Sequence, residues 1–177
     1  MIAFVAIGMC ITSVNAQKGK FGISAGYNSM IAKLSIEGDS DTESVGGFYL
    51  GLFTSTDINE TVDVKFELQF TSASSEGDTS NQLLLPILLR YEVAPKFQLL
   101  VGPQLEYIVG ADELEEDILN LFGLGLALGA EINFTDSLFF SSRYSFGLSN
   151  RVDSDITEII DMDMKVSNFQ LGLGYTF

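Results

Sequence analysis

Histidine is absent from this chain, and cysteine occurs once, at Cys10. If the N-terminal apolar stretch holding Cys10 is removed on export, the remaining chain has neither residue. That excludes a disulfide scaffold, Cys/His zinc sites, a cysteine nucleophile and any Ser-His or Cys-His catalytic pair. Cations are scarce as well: Lys+Arg is 9 against 24 Asp+Glu, a formal net charge of −15. No basic stretch is available to neutralise phosphates, so nucleic acid is excluded as a partner. No Pro- or Ser-rich linker divides the 177 residues, which suggests one domain. Charge is missing altogether from the first sixteen residues, "MIAFVAIGMCITSVNA". This apolar stretch, followed by the small residues Val14-Asn15-Ala16, reads as a signal peptide cleaved at about Ala16. The expected division is 1–16 signal peptide and 17–177 β-barrel domain. Acylation of Cys10 is disfavoured because Met9 stands where a small residue is expected. A retained helical anchor is disfavoured because the stretch falls short of the roughly 20 residues a bilayer crossing needs.

Against these absences stands an apolar content unusual for so acidic a chain: 46% hydrophobic residues and a mean hydropathy of +0.27. The two are reconciled by segregation. Eight segments have period-two alternation, near 21–32, 44–55, 60–72, 81–92, 96–109, 120–133, 137–149 and 166–177. In the third, Val62, Val64, Phe66, Leu68 and Phe70 alternate with Asp63, Lys65, Glu67 and Gln69. The second has aromatics on both faces, and the fourth, "LLLPILLRY", takes its phase from Arg90 alone. Connections alternate in length. Long polar gaps near 33–43, 73–80, 110–119 and 150–165 are interleaved with the tight turns "STDINE", "VAPK" and "FTDS". An all-β, eight-stranded antiparallel up-and-down transmembrane barrel, with short periplasmic turns and longer extracellular loops, has this asymmetry. A soluble lipocalin-like barrel would turn the same apolar faces inward around a cavity. The glycine-rich opposite faces of the sixth and eighth segments argue against water-facing strands, because glycine weakens a strand.

Three stretches carry a family resemblance. "LLLPILLRYEV", "FQLLVGPQLEYIVG" and the closing "NFQLGLGYTF" resemble the corresponding strands of the PorT-like bacterial outer-membrane β-barrel proteins. The resemblance implies the fold and an outer-membrane location in a Gram-negative cell. It also implies that the last strand, Phe169, Leu171, Leu173, Tyr175 and Phe177, is the signal read by the barrel assembly machinery. It implies no activity and no cofactor.

The phase assignment points Asp63, Lys65, Glu67, Arg90, Glu106, Glu131 and Arg143 into the lumen. Lone charges there would be costly, so they are expected to pair as a structural plug; the alternative is a narrow ion path belonging to a small pore or a transport or secretion component. The stretches "EGDSDTE" (37–43), "DELEED" (112–117) and "DSDITEIIDMD" (153–163) would form an acidic outer surface. Asp153, Asp155, Asp161 and Asp163 have spacing compatible with a divalent cation, bridging loops to one another or to lipopolysaccharide. In "IIDMDMKV" (159–166) the apolar residues change face relative to Phe169. Either the strand continues above the membrane, a bulge resets its phase, or it is an adhesive edge that recruits an envelope or extracellular protein. Without histidine, enzymatic activity is not expected.

Overall fold

A computed structural model describes residues 19–36, 39–75, 78–110, 120–152 and 162–177. The expected signal peptide, and the acids Asp153, Asp155 and Asp161, lie outside the described residues. Eight strands follow in order: β1 (Lys20–Ile36), β2 (Asp39–Asp57), β3 (Val62–Ser75), β4 (Asp78–Ala94), β5 (Phe97–Val109), β6 (Phe122–Asn133), β7 (Leu138–Gly147) and β8 (Met162–Thr176). Each pairs antiparallel with the next, and β1 pairs with β8 from Gly22↔Thr176 to Ile36↔Met162, closing the barrel. Closure leaves no long unpaired edge within the belt that the strands share.

The short connections are held by local chemistry. Asn59 accepts hydrogen bonds from the Thr61 and Val62 amides through Oδ1, at 2.9 Å each. Thr135 Oγ1 accepts from the amides of Ser137 and Leu138 at 3.2 and 2.9 Å. Both are side-chain mimics of a backbone turn. In the Pro95-Lys96 turn, Lys96 has φ +69°, a left-handed position that glycine or asparagine fills more readily.

The faces of the sheet are inverted relative to a soluble protein. Large apolar side chains on every strand are exposed on the outside, among them Ile23, Leu52, Leu68, Leu85, Leu105, Leu124, Phe146 and Leu173. The buried set inside is mostly polar or charged. Soluble monomers rarely expose a continuous apolar belt, and this one is the lipid-facing band of a membrane barrel. The lipocalin-like alternative fails on this point, since its interior would be the apolar face.

Two sequence-based boundaries need correction. The polar stretches at 33–43 and 73–80, read as long loops, are mostly strand: β1 pairs with β2 as far as Ile36↔Asp39, and β3 with β4 as far as Ser75↔Asp78. Polar composition marks a loop only where strands stop at the membrane surface. Here they run on beyond the apolar belt, where both faces tolerate Ser, Thr and Asp. The face change before Phe169 has the same cause. The β1–β8 register is unbroken from Met162 to Thr176, so no bulge resets it there, and Met162, Met164 and Val166 share the inward face with Asn168 and Gln170. The ambiguous second strand resolves with Tyr49 and Phe53 inside, at 2% and 4% exposure, and Phe48, Leu50 and Leu52 outside.

Candidate functional site

The site that sequence reasoning singles out is the lumen. Six of the seven charges expected there form one chain of ion pairs. Arg90 Nε donates to Asp63 Oδ1 at 2.6 Å and Arg90 Nη1 to Glu131 Oε2 at 3.1 Å. Lys65 Nζ meets Glu131 Oε1 at 2.9 Å and lies 3.9 Å from Glu67 Oε2. Glu67 Oε2 in turn accepts from Arg143 Nη2 at 2.8 Å, while its Oε1 accepts from Ser24. Three acids face three bases, so the chain is formally neutral. It also reaches across the lumen: β3 is tied to β6 by Lys65–Glu131 and to β7 by Glu67–Arg143. Deep in a low-dielectric interior, such pairs hold only when geometry and hydrogen bonding are both good.

Lys65 is the centre of this chain. Its ammonium sits 4.2 Å from the Phe53 ring centroid and 4.6 Å from that of Phe139, and the two rings meet edge to face at 5.6 Å. Glycines give these side chains room. A Cβ at Gly22 would fall on the Phe53 ring, one at Gly174 on the Phe139 ring, and one at Gly172 on the Tyr49 hydroxyl. This explains the small-residue faces of β1 and β8: the wall is thin where the filling is thick. On the β4–β6 side the filling is apolar, with Leu88, Leu100 and Ala127 packed together.

Toward the long-connection end, amides join a single remaining ion pair. Asn28 Nδ2 donates to Asn168 Oδ1 at 3.3 Å, Asn168 Nδ2 to Gln82 Oε1 at 3.4 Å, and Gln170 Nε2 to Gln69 Oε1 at 3.0 Å. Gln104 Nε2 reaches both Glu106 Oε1 at 2.9 Å and Ser145 Oγ at 3.0 Å. Glu106 does not join the six-membered chain. Its partner is Arg151, which sequence reasoning had placed in a loop and missed. Arg151 is 1% exposed. Its Nη1 donates to the Leu121 carbonyl at 3.1 Å, its amide donates to Met164 O at 2.7 Å, and its carbonyl accepts from the Asn120 amide at 2.8 Å. Gly123 makes room for the guanidinium. One residue thus stitches the β5–β6 connection, the segment after β7 and the start of β8 together over the lumen. The detectable signal was the arginine count: the chain has three, Arg90, Arg143 and Arg151, and all three are inside.

The other proposed site residues lie on the outside. Phe169, Leu171, Leu173, Tyr175 and Phe177 have outward parity, and the rings of Tyr175 and Phe177 meet at 5.5 Å. Asp163 is the one member of the acidic quartet among the described residues, and it pairs with exposed Lys165 at 3.3 Å.

A neutral, cross-braced lumen inside an apolar belt defines the class: a small membrane β-barrel with a filled interior. The chain belongs to the outer membrane protein beta-barrel domain family, whose model matches residues 2–177. Solved structures share the fold. Ail, the attachment invasion locus protein of Yersinia pestis, aligns with 18% identity over 90% of this chain and 99% of its own, at a TM-score of 0.55. Neisserial surface protein A aligns with 15% identity over 89% and 97%, at a TM-score of 0.56. No curated sequence matches the chain.

Proposed function

We propose that this protein is a non-conducting outer-membrane barrel whose work is done at its long-connection end, as a surface-interaction module of the cell envelope. The observation that carries this reading is the lumen: charged, aromatic and amide side chains bridge opposite walls at several levels, and Arg151 closes one end. An eight-stranded barrel has an interior that side chains can fill, and here they do. The long-connection end is taken as extracellular, following the usual asymmetry of such barrels. The Leu-Pro strand at 83–93 and the Gly-Pro strand at 97–110 favour the PorT-like branch of the family. Export through a cleaved signal peptide and recognition of the Phe177-terminated strand by the assembly machinery belong to the same reading. Ail, by its name an attachment protein, is a precedent for a surface role on this fold. The test is planar-bilayer conductance of the purified, refolded protein. No discrete openings are expected, and steady channels of reproducible size would replace this reading with a pore.

A further inference from the structure

The strand pairings at the long-connection end do not match in extent. β2 pairs with β1 without a break from Ser55↔Lys20 to Asp39↔Ile36, where β2 begins. Its pairing with β3 begins only at Gly47↔Ala73, and β3 itself ends at Ser75. Among the described residues, then, Asp39–Gly46 is paired on one side and open on the other. Asp39 through Ser44 are all exposed. The equivalent stretch of β8 is covered. Asn150 and Arg151 bond to Met162 O, Met164 N and Met164 O at 3.2, 2.9 and 2.7 Å. Across Met162–Met164, the described part of the adhesive-edge alternative for "IIDMDMKV", the backbone is already bonded; the open edge is on the other side of β1.

We propose that the open edge of β2, residues 39–46, receives an extended, cationic segment of another protein as an additional strand. Every second residue of an edge strand turns its N–H and C=O outward, and a row of such groups is a template for strand addition. The side chains choose the occupant. Asp39, Asp41 and Glu43 lie opposite Ile36, Leu34 and Ala32 in register, so all three acids share one face. Ser40, Thr42 and Ser44 share the other. Directly opposed side chains on neighbouring strands lie about 4.5–5.5 Å apart, and like charges there are unfavourable. An incoming strand must therefore present Lys or Arg at alternate positions on the acid face and small polar residues on the other. A second copy of this chain does not qualify through this edge, because it would set acids against acids. The same repulsion keeps copies from polymerising.

This inference rests on the surface-interaction reading but is tested separately from it. The refolded protein in neutral detergent is mixed with a seven-residue peptide alternating Lys and Thr. Hydrogen exchange is then measured across residues 39–46, with a peptide of the same composition in block order as control. The expected result is exchange slowed at least tenfold at 39–46 by the alternating peptide alone. The protection should fall away in the variant D39N/D41N/E43Q and with a peptide N-methylated at alternate residues. Equal effects of alternating and block peptides, or no protection at 39–46, would overturn the proposal. So would protection that rises with protein concentration alone, which would mean the edge pairs with itself. None of these outcomes bears on conductance, so a failed edge and a conducting lumen are told apart.

Discussion

Replacing Lys65 by methionine keeps the length of the side chain and removes one charge from the middle of a neutral chain of six. Glu131 then keeps only Arg90, at 3.1 Å, and Glu67 keeps Arg143, at 2.8 Å. Both carboxylates are fully buried, so the lumen carries one uncompensated negative charge. Breaking a buried pair from one side costs about 3–5 kcal/mol, and two cation–π contacts to Phe53 and Phe139 go with it, each about 0.5–2 kcal/mol. These terms overlap, so a loss of about 4 kcal/mol is expected for Lys65→Met. Glu131→Gln leaves Lys65 and Arg90 facing an amide and tips the balance the other way, but Arg90 retains Asp63 at 2.6 Å; about 3 kcal/mol is expected. The double variant is neutral again. It should therefore be more stable than the sum of the singles by about 0.5–3 kcal/mol, the range seen for groups in one network. The chain has no tryptophan, so folding is best followed by the gel mobility shift between folded and boiled protein across a urea series. Strictly additive losses, or a Lys65→Met cost below about 1 kcal/mol, would refute the claim that the lumen is one coupled charge network.

Gly174→Val places a side chain on the Phe139 ring and should destabilise by about 1–3 kcal/mol through overpacking. Phe139→Leu in the same chain should restore part of the loss in the same urea assay. Arg151→Ala leaves Glu106 without its cation, with Gln104 as its remaining partner, and releases the Asn120 and Leu121 carbonyls that Arg151 Nη1 holds at 3.4 and 3.1 Å; limited proteolysis should cut near 120–121 and 148–152, while the membrane-embedded barrel stays resistant. Leu52→Arg, at a lipid-facing position 64% exposed, should cost about 2–4 kcal/mol in vesicles. Thr42→Arg, on the same face of β2 but beyond the apolar belt, should be nearly neutral by that measure.

The fold was legible because lipid imposes a period-two rule on every strand, and chain order then sets the topology. Arg90 was enough to phase β4, where leucines occupy both faces, because a guanidinium tolerates the lumen better than lipid. The second strand resisted the same logic. Tyr49 and Phe53 are inside only because Gly172 and Gly22, distant in sequence, leave them room, and no local pattern encodes that complement. Arg151 escaped for a different reason. It belongs to no alternating segment, and what brings it to Glu106 is a set of backbone bonds to Asn120 and Met164 made in the folded chain. The hairpin ends at 33–43 and 73–80 were misread because the alternation rule applies only in lipid.

The arrangement of charge ties the lumen to the rim. Asp63, Glu67, Glu106 and Glu131 inside are matched by Lys65, Arg90, Arg143 and Arg151, so the whole formal charge of −15 belongs to the rest of the chain. The interior consumes every arginine and leaves lysines as the sole cations elsewhere. Much of the acid lies in the stretches at 37–43, 112–117 and 153–163, each attached to the long-connection end. A surface of one sign accelerates encounter with the opposite sign, in a manner that weakens with salt, and resists association with its like. At the open edge of β2 these two effects act on the same backbone. Neutralising Asp39, Asp41 and Glu43 should therefore slow the capture of a cationic strand at low salt and flatten the salt dependence of that capture, read as the rate at which exchange at 39–46 becomes protected.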